Sequence, residues 1–162
     1  MRRFSALSAT LAALAATLLG CPNTDPAVFV DAGIEGASVS LSPQALGVSL
    51  SGGFRLRLHL GARAAGPSEV SFGSFALQSA DQSETFVPAL PLEASQPSPV
   101  DVEPDETIFV EFTIGTGAGL LDAALVDRIC AGQVVVSGVV EDSLRGASAT
   151  AVSAPVTPSG CP

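Results

Sequence analysis

Arg55, Arg57 and His59 alternate along one stretch, cysteines stand at positions 21, 130 and 161, and carboxylates crowd at Asp101, Glu103, Asp105 and Glu106. Each set has a chemistry it could perform. Two-residue spacing places Arg55, Arg57 and His59 on one face of a strand, where they could form a cationic patch for an anionic ligand. The simpler reading is a solvated face whose neighbours come from the chain's many acids. The carboxylates could hold calcium, but they lack the Gly-centred loop and distal Glu of an EF-hand, so a solvated turn at Glu103-Pro104-Asp105-Glu106 fits better. Cys130 and Cys161 could ligate zinc, or one could act as a nucleophile. Zinc needs three or four ligands, and the single histidine, His59, lies far from both in sequence. Metal and cofactor are therefore expected to be absent.

Catalysis fares no better. The chain has no lysine, which removes Ser-x-x-Lys nucleophiles and phosphate loops ending in Lys, and no Gly-x-Ser-x-Gly elbow occurs. Paired carboxylates exist without an inferable apolar pocket to split their pKa values. A non-enzymatic protein is expected.

Cys21 closes a segment of a different kind. Arg2 and Arg3 precede an apolar run from Phe4 to Leu19, and Gly20 puts a small residue before the cysteine, the pattern of an export signal. The stretch Leu18-Leu19-Gly20-Cys21 resembles the lipobox of bacterial lipoproteins. The resemblance implies a diacylglycerol on the Cys21 thiol, cleavage before Cys21 and acylation of the new amino terminus. It implies a protein of the bacterial cell envelope, anchored to a membrane through that lipid and facing the periplasm or the cell surface. A transmembrane anchor would need about twenty apolar residues, more than the run from 4 to 19 provides. Simple secretion would leave Cys21 without a role, and a twin-arginine route rests on Arg2-Arg3 alone. Each buried CH₂ contributes about 0.8 kcal/mol, so two or more acyl chains hold firmly.

Removing residues 1–20 from 162 leaves 142 residues, enough for one domain with its own core. Without Arg2 and Arg3, five of the seven arginines face 16 acids, a formal charge of minus 11. That balance disfavours nucleic acid and anionic lipid surfaces, which bind through clustered Lys and Arg. The absence of Trp and Tyr removes the usual platforms for stacking bases or cations. In an oxidising compartment, with Cys21 committed to lipid, Cys130 and Cys161 are expected to form a disulfide. It would close a loop of about thirty residues and contribute roughly 3 to 4 kcal/mol.

Residues 21–37 read as a short tether, with Val28-Phe29-Val30 as a candidate edge strand, and 38–162 as a β-sandwich domain. Val39 and Leu41 alternate with serines until Pro43 interrupts. Leu46, Val48 and Leu50 share one face, as do Phe54, Leu56, Leu58 and Leu60, which suggests a hairpin turning at Ser51-Gly52-Gly53. A chain that crossed between sheets at these glycines would keep the same parity and bury the same side chains. A loop over 61–67 precedes strands around Val70-Phe72 and Phe75-Leu77, then a polar turn at 81–84. Phe86 to Leu92 reads as an edge strand, because Pro88 and Pro91 cannot donate ladder bonds. A proline-broken connection over 95–104 leads to a strand over 107–114, with Ile108, Val110, Phe112 and Ile114 inward. Leu121, Leu125 and Ile129 then recur every four residues, with Asp122 early and Arg128 late, predicting one short helix with Leu125 facing the core. Strands over 133–140 and 149–156 follow.

This pattern predicts an all-β fold: a two-sheet immunoglobulin-like sandwich with one short late helix. From Gly53 onward the order of features resembles the bacterial LEA14 or water-stress (WHy) domain family. The likeness lies in the alternating Phe54-Arg55-Leu56-Arg57-Leu58 strand, Val70-Ser71-Phe72 opening the next, and the late helix before strands around Gly138 and Pro155. Where that family has an Asn-Pro-Asn turn, Gly61-Ala62-Arg63 stands. The resemblance implies fold and no activity. Two functions fit: a non-catalytic binding or structural module that contacts another envelope protein, or a carrier of a small apolar ligand held between the sheets. They differ in whether the core is filled or hollow.

Overall fold

The computed structural model describes residues 26–115 and 119–161. The chain forms β1 (Asp31–Gln44), β2 (Gly47–Leu60), β3 (Ser68–Ser79), β4 (Thr85–Val87), β5 (Leu92–Ala94), β6 (Val100–Val102), β7 (Glu106–Ile114), β8 (Leu120–Leu121), α1 (Ala123–Cys130), β9 (Val134–Asp142) and β10 (Ala147–Val152). One sheet runs β1-β2-β7-β5, with β8 also on β2; the other runs β10-β9-β3-β4, with β6 also on β3. All ladders are antiparallel. The expected all-β, two-sheet sandwich with one late helix is thus the fold observed.

The apolar faces meet as the two-residue period requires. Leu50, Phe54, Leu56, Leu58 and Leu60 of β2, Val110, Phe112 and Ile114 of β7, and Val70, Phe75 and Leu77 of β3 are buried together with Val134, Val136 and Val140 of β9. At the centre, Phe54 and Phe112 stack at 4.9 Å, and Phe75 lies 5.0 Å from Phe54 and 5.2 Å from Phe112. Phe72 meets Phe112 edge-on at 5.5 Å. Such pairs contribute about 0.5 to 1.5 kcal/mol each beyond burial.

The first hairpin corrects the sequence reading. It turns at Ala45-Leu46, with Gln44 opposite Gly47, and β2 continues unbroken through Gly52 and Gly53. Those glycines are there for close approach. A Cβ on Gly52 would lie 2.1 Å from the Ser38 carbonyl oxygen, and one on Gly53 would lie 2.6 Å from that of Phe112. They sit opposite the register shift between Glu35 and Ser38 of β1, which moves the inward positions from Ile34 to Val39 and Leu41. Leu46, expected to be inward, is at the hairpin tip and 89 % exposed. Parity survives because no residue turns the chain between Leu50 and Phe54.

Other boundaries shift for similar reasons. β1 begins at Asp31, so the sheet takes up residues assigned to the tether, while Val28 and Phe29 lie outside it and are exposed. Phe72 and Phe75 belong to one strand with a bulge between them. Phe86 to Leu92 is two strands: β4 pairs with β3, β5 pairs with β7, and the proline-bearing stretch between them carries the chain from one sheet to the other. The 95–104 connection contains β6. In α1, Asp122 caps the first turn by accepting from the Leu125 N–H at 2.7 Å. Val126 and Ile129 carry the burial, and Leu125 is half-buried at the margin.

Candidate functional site

Arg55, Arg57 and His59 do share the outer face of β2, but that face is already matched by its neighbours. The Arg55 guanidinium bonds Glu35 at 3.0 Å and lies 4.6 Å over the Phe109 ring of β7. Arg57 reaches Asp31 at 2.8 Å and Glu35 at 3.4 Å. Its guanidinium passes over Gly33, which stands directly opposite it on β1. His59 Nδ1 is 2.8 Å from Thr107 Oγ1. A cross-strand arrangement of carboxylates therefore occupies the charge an anionic ligand would need. As exposed pairs these bridges contribute at most about 1 kcal/mol each. Their larger effect is to leave the face without a positive excess, since Asp31, Glu35 and, across from Arg55 on β7, Glu111 stand with the two arginines.

The acidic stretch is likewise spent on backbone geometry. Glu106 accepts from the Glu103 N–H at 2.8 Å, and the Asp105 N–H donates to the Leu60 carbonyl at 2.8 Å, closing the turn ahead of β7. Among the described residues no group of three His, Cys, Asp or Glu is placed to hold a metal. Asp81 accepts from the Ser79 and Ser83 hydroxyls and the Ser83 N–H, which lowers its pKa to about 2.

The polar site that sequence reading missed is Asp142, 4 % exposed at the end of β9. Its Oδ1 accepts from Ser68 Oγ at 2.5 Å and from the Leu144 N–H at 2.9 Å; its Oδ2 accepts from the Val30 N–H at 2.8 Å. Burial pushes this carboxyl up, and the bonds from Ser68, Val30, Leu144 and Arg145 together outweigh it, so the pKa is lowered. Ser143 extends the arrangement, accepting from the Glu69 N–H and donating its own N–H to the Glu69 carbonyl. One carboxylate thus ties Val30, just ahead of β1, to both β3 and the β9–β10 turn. The signal was present: positions 134, 136, 138, 140 and 142 share the inward parity of β9, and a carboxylate in that register demands donors.

Cys130 and Cys161 are joined by a disulfide, with Cα atoms 5.7 Å apart. Cys21 lies outside the described residues. Open depressions lie on the exterior of the described residues. One, of about 470 Å³, is lined by Glu69, Ser71, Glu141 and Ser148 among others; the second, of about 510 Å³, lies over Gly36, Gly52 and Gly53. Searches with the chain found no matching family model, no curated protein and no solved structure.

Proposed function

We propose that this chain is a lipid-anchored protein of the bacterial cell envelope whose β-sandwich serves as a non-catalytic binding or structural module. The observation that carries the reading is Leu18-Leu19-Gly20-Cys21 behind an apolar run. The fold is compatible with it in three ways. Val30, nine residues beyond Cys21, is clasped by Asp142, which would keep the domain within about 30 Å of an anchored residue 21. Arg55, Arg57 and Arg128 are ion-paired within the chain, so lipid rather than charge would supply membrane attachment. The inter-sheet space around Phe54, Phe75 and Phe112 is filled by rings in contact, which favours a module over a carrier of apolar ligand. The likeness to WHy domains is a reading of strand order and adds no activity.

Fractionation of bacteria expressing the full chain tests the anchor. Wild type should sediment with membranes at mature length, and Cys21→Ser should be unprocessed or soluble. Membrane retention of Cys21→Ser at mature length would overturn the proposal.

A further inference from the structure

β1 is the outer strand of its sheet, and an outer strand offers unpaired N–H and C=O groups to any other chain. Here the segment 153–161 reaches that edge and pairs with it through Ser159. The tail first bonds β9: Ser153 N–H donates to the Val136 carbonyl at 2.9 Å, and Val134 and Val156 exchange backbone bonds at 2.9 and 2.8 Å. It then crosses to β1, where Leu41 N–H donates to the Ser159 carbonyl at 2.9 Å and Ser159 N–H donates to that of Val39 at 3.0 Å. Gly160, at φ +74°, allows this approach, since a Cβ there would lie 1.9 Å from the Leu41 carbonyl oxygen. Position 43, next on the same side of β1, is proline and has no N–H to offer. Exposed Cys161 ends the strap on half-buried Cys130. Of residues 154–161 only Pro158 is buried, so hydrogen bonds and the disulfide hold the strap more than packing does.

We propose that this tail is a redox-held guard on the β1 edge: closed, it fills Val39–Leu41 in cis; opened, it exchanges with the tail of a second copy. A second copy is the partner because the strand whose fit to this edge the structure displays is the chain's own tail. Opening is thiol–disulfide exchange with an external dithiol. Its thiolate attacks the exposed Cys161 sulfur, Cys130 leaves as a thiolate and takes a proton, and the second thiol releases Cys161 and departs in a disulfide. Two electrons and two protons pass to the protein.

The test uses the mature-length chain, half of it ¹⁵N-labelled, reduced with dithiothreitol, mixed at up to about 1 mM to compete with the cis tail, and reoxidised. Exchange at the Leu41 amide should become at least about tenfold faster on reduction while the β2–β7 ladder stays protected. Reoxidation should yield Cys130–Cys161 peptides of mixed label, more of them at higher concentration. An unchanged Leu41 amide would overturn the guard, and peptides of unmixed label would overturn the exchange. Loss of protection across the β2–β7 ladder would also overturn it, because the tail would then be holding the whole fold.

Discussion

At the scale of single residues, the chain's polarity is concentrated where the backbone needs it. Asp142 is the sharpest case, a buried carboxylate that accepts from the Ser68 hydroxyl and from backbone N–H groups that include those of Val30 and Leu144. Replacing it with Ala leaves those donors unpaired and should cost about 2 to 4 kcal/mol in denaturant melts. Its pH dependence follows from the direction of its shift. Because folding lowers the pKa, the unfolded chain takes up the proton first. The contribution is whole above about pH 5 and disappears as pH falls through the lower folded value. The Asp142→Ala variant should therefore show a flatter acid limb than wild type, and parallel limbs would count against the clasp. Gly138 is a second case. A Cβ there would lie 2.1 Å from the Phe75 ring, and that ring is held between Phe54 and Phe112. Gly138→Ala should cost about 1 to 3 kcal/mol through overpacking, visible as a lower thermal midpoint. Asp142 was missed because the inward parity of β9 was followed only to Val140, and nothing in the sequence around Gly138 shows which ring will meet it.

At the scale of elements, periodicity was readable, as were the polar turns at 81–84 and 103–106, but the turn of the first hairpin was not. The inward sets of β2 and β7 follow directly from alternation, because burying one face of a sheet fixes parity. The hairpin was misplaced because paired glycines carry two meanings, a turn or a close approach, and only the neighbouring Ser38 and Phe112 carbonyls decide between them. The single edge strand expected over Phe86–Leu92 takes in most of β4 and only the first residue of β5, which belong to different sheets. In α1 the four-residue recurrence identified the helix, while its rotation against β2 and β4 set which side chains are covered. Ile129 is fully buried and Leu125 is not. Ile129→Ala should accordingly cost about 2 to 5 kcal/mol, and Leu125→Ala less than half of the value found for Ile129→Ala. Equal losses would mean that the helix packs with a different face.

At the scale of the whole molecule, the same end of the sandwich gathers the start of β1, the 61–67 loop, the turn before β7 and the β9–β10 turn. The chain enters the domain there, at Val30. The opposite end carries the β1–β2 tip and α1, with the Cys130–Cys161 bridge. The candidate cationic face was legible as residues but not in its pairing: the alternation placed Arg55, Arg57 and His59 together, yet the two arginines pair with Asp31 and Glu35 in the part of β1 assigned to the tether. The disulfide was legible because assigning Cys21 to the expected lipid leaves Cys130 and Cys161 as a pair. The anchor is the central claim, and mass spectrometry of the amino-terminal peptide from membrane-extracted protein tests it most directly. The account predicts a peptide that begins at Cys21 and carries a diacylglyceryl thioether on its sulfur with an acyl chain on its nitrogen. A peptide that continues upstream of residue 21, or one with an unmodified Cys21 thiol, would contradict it.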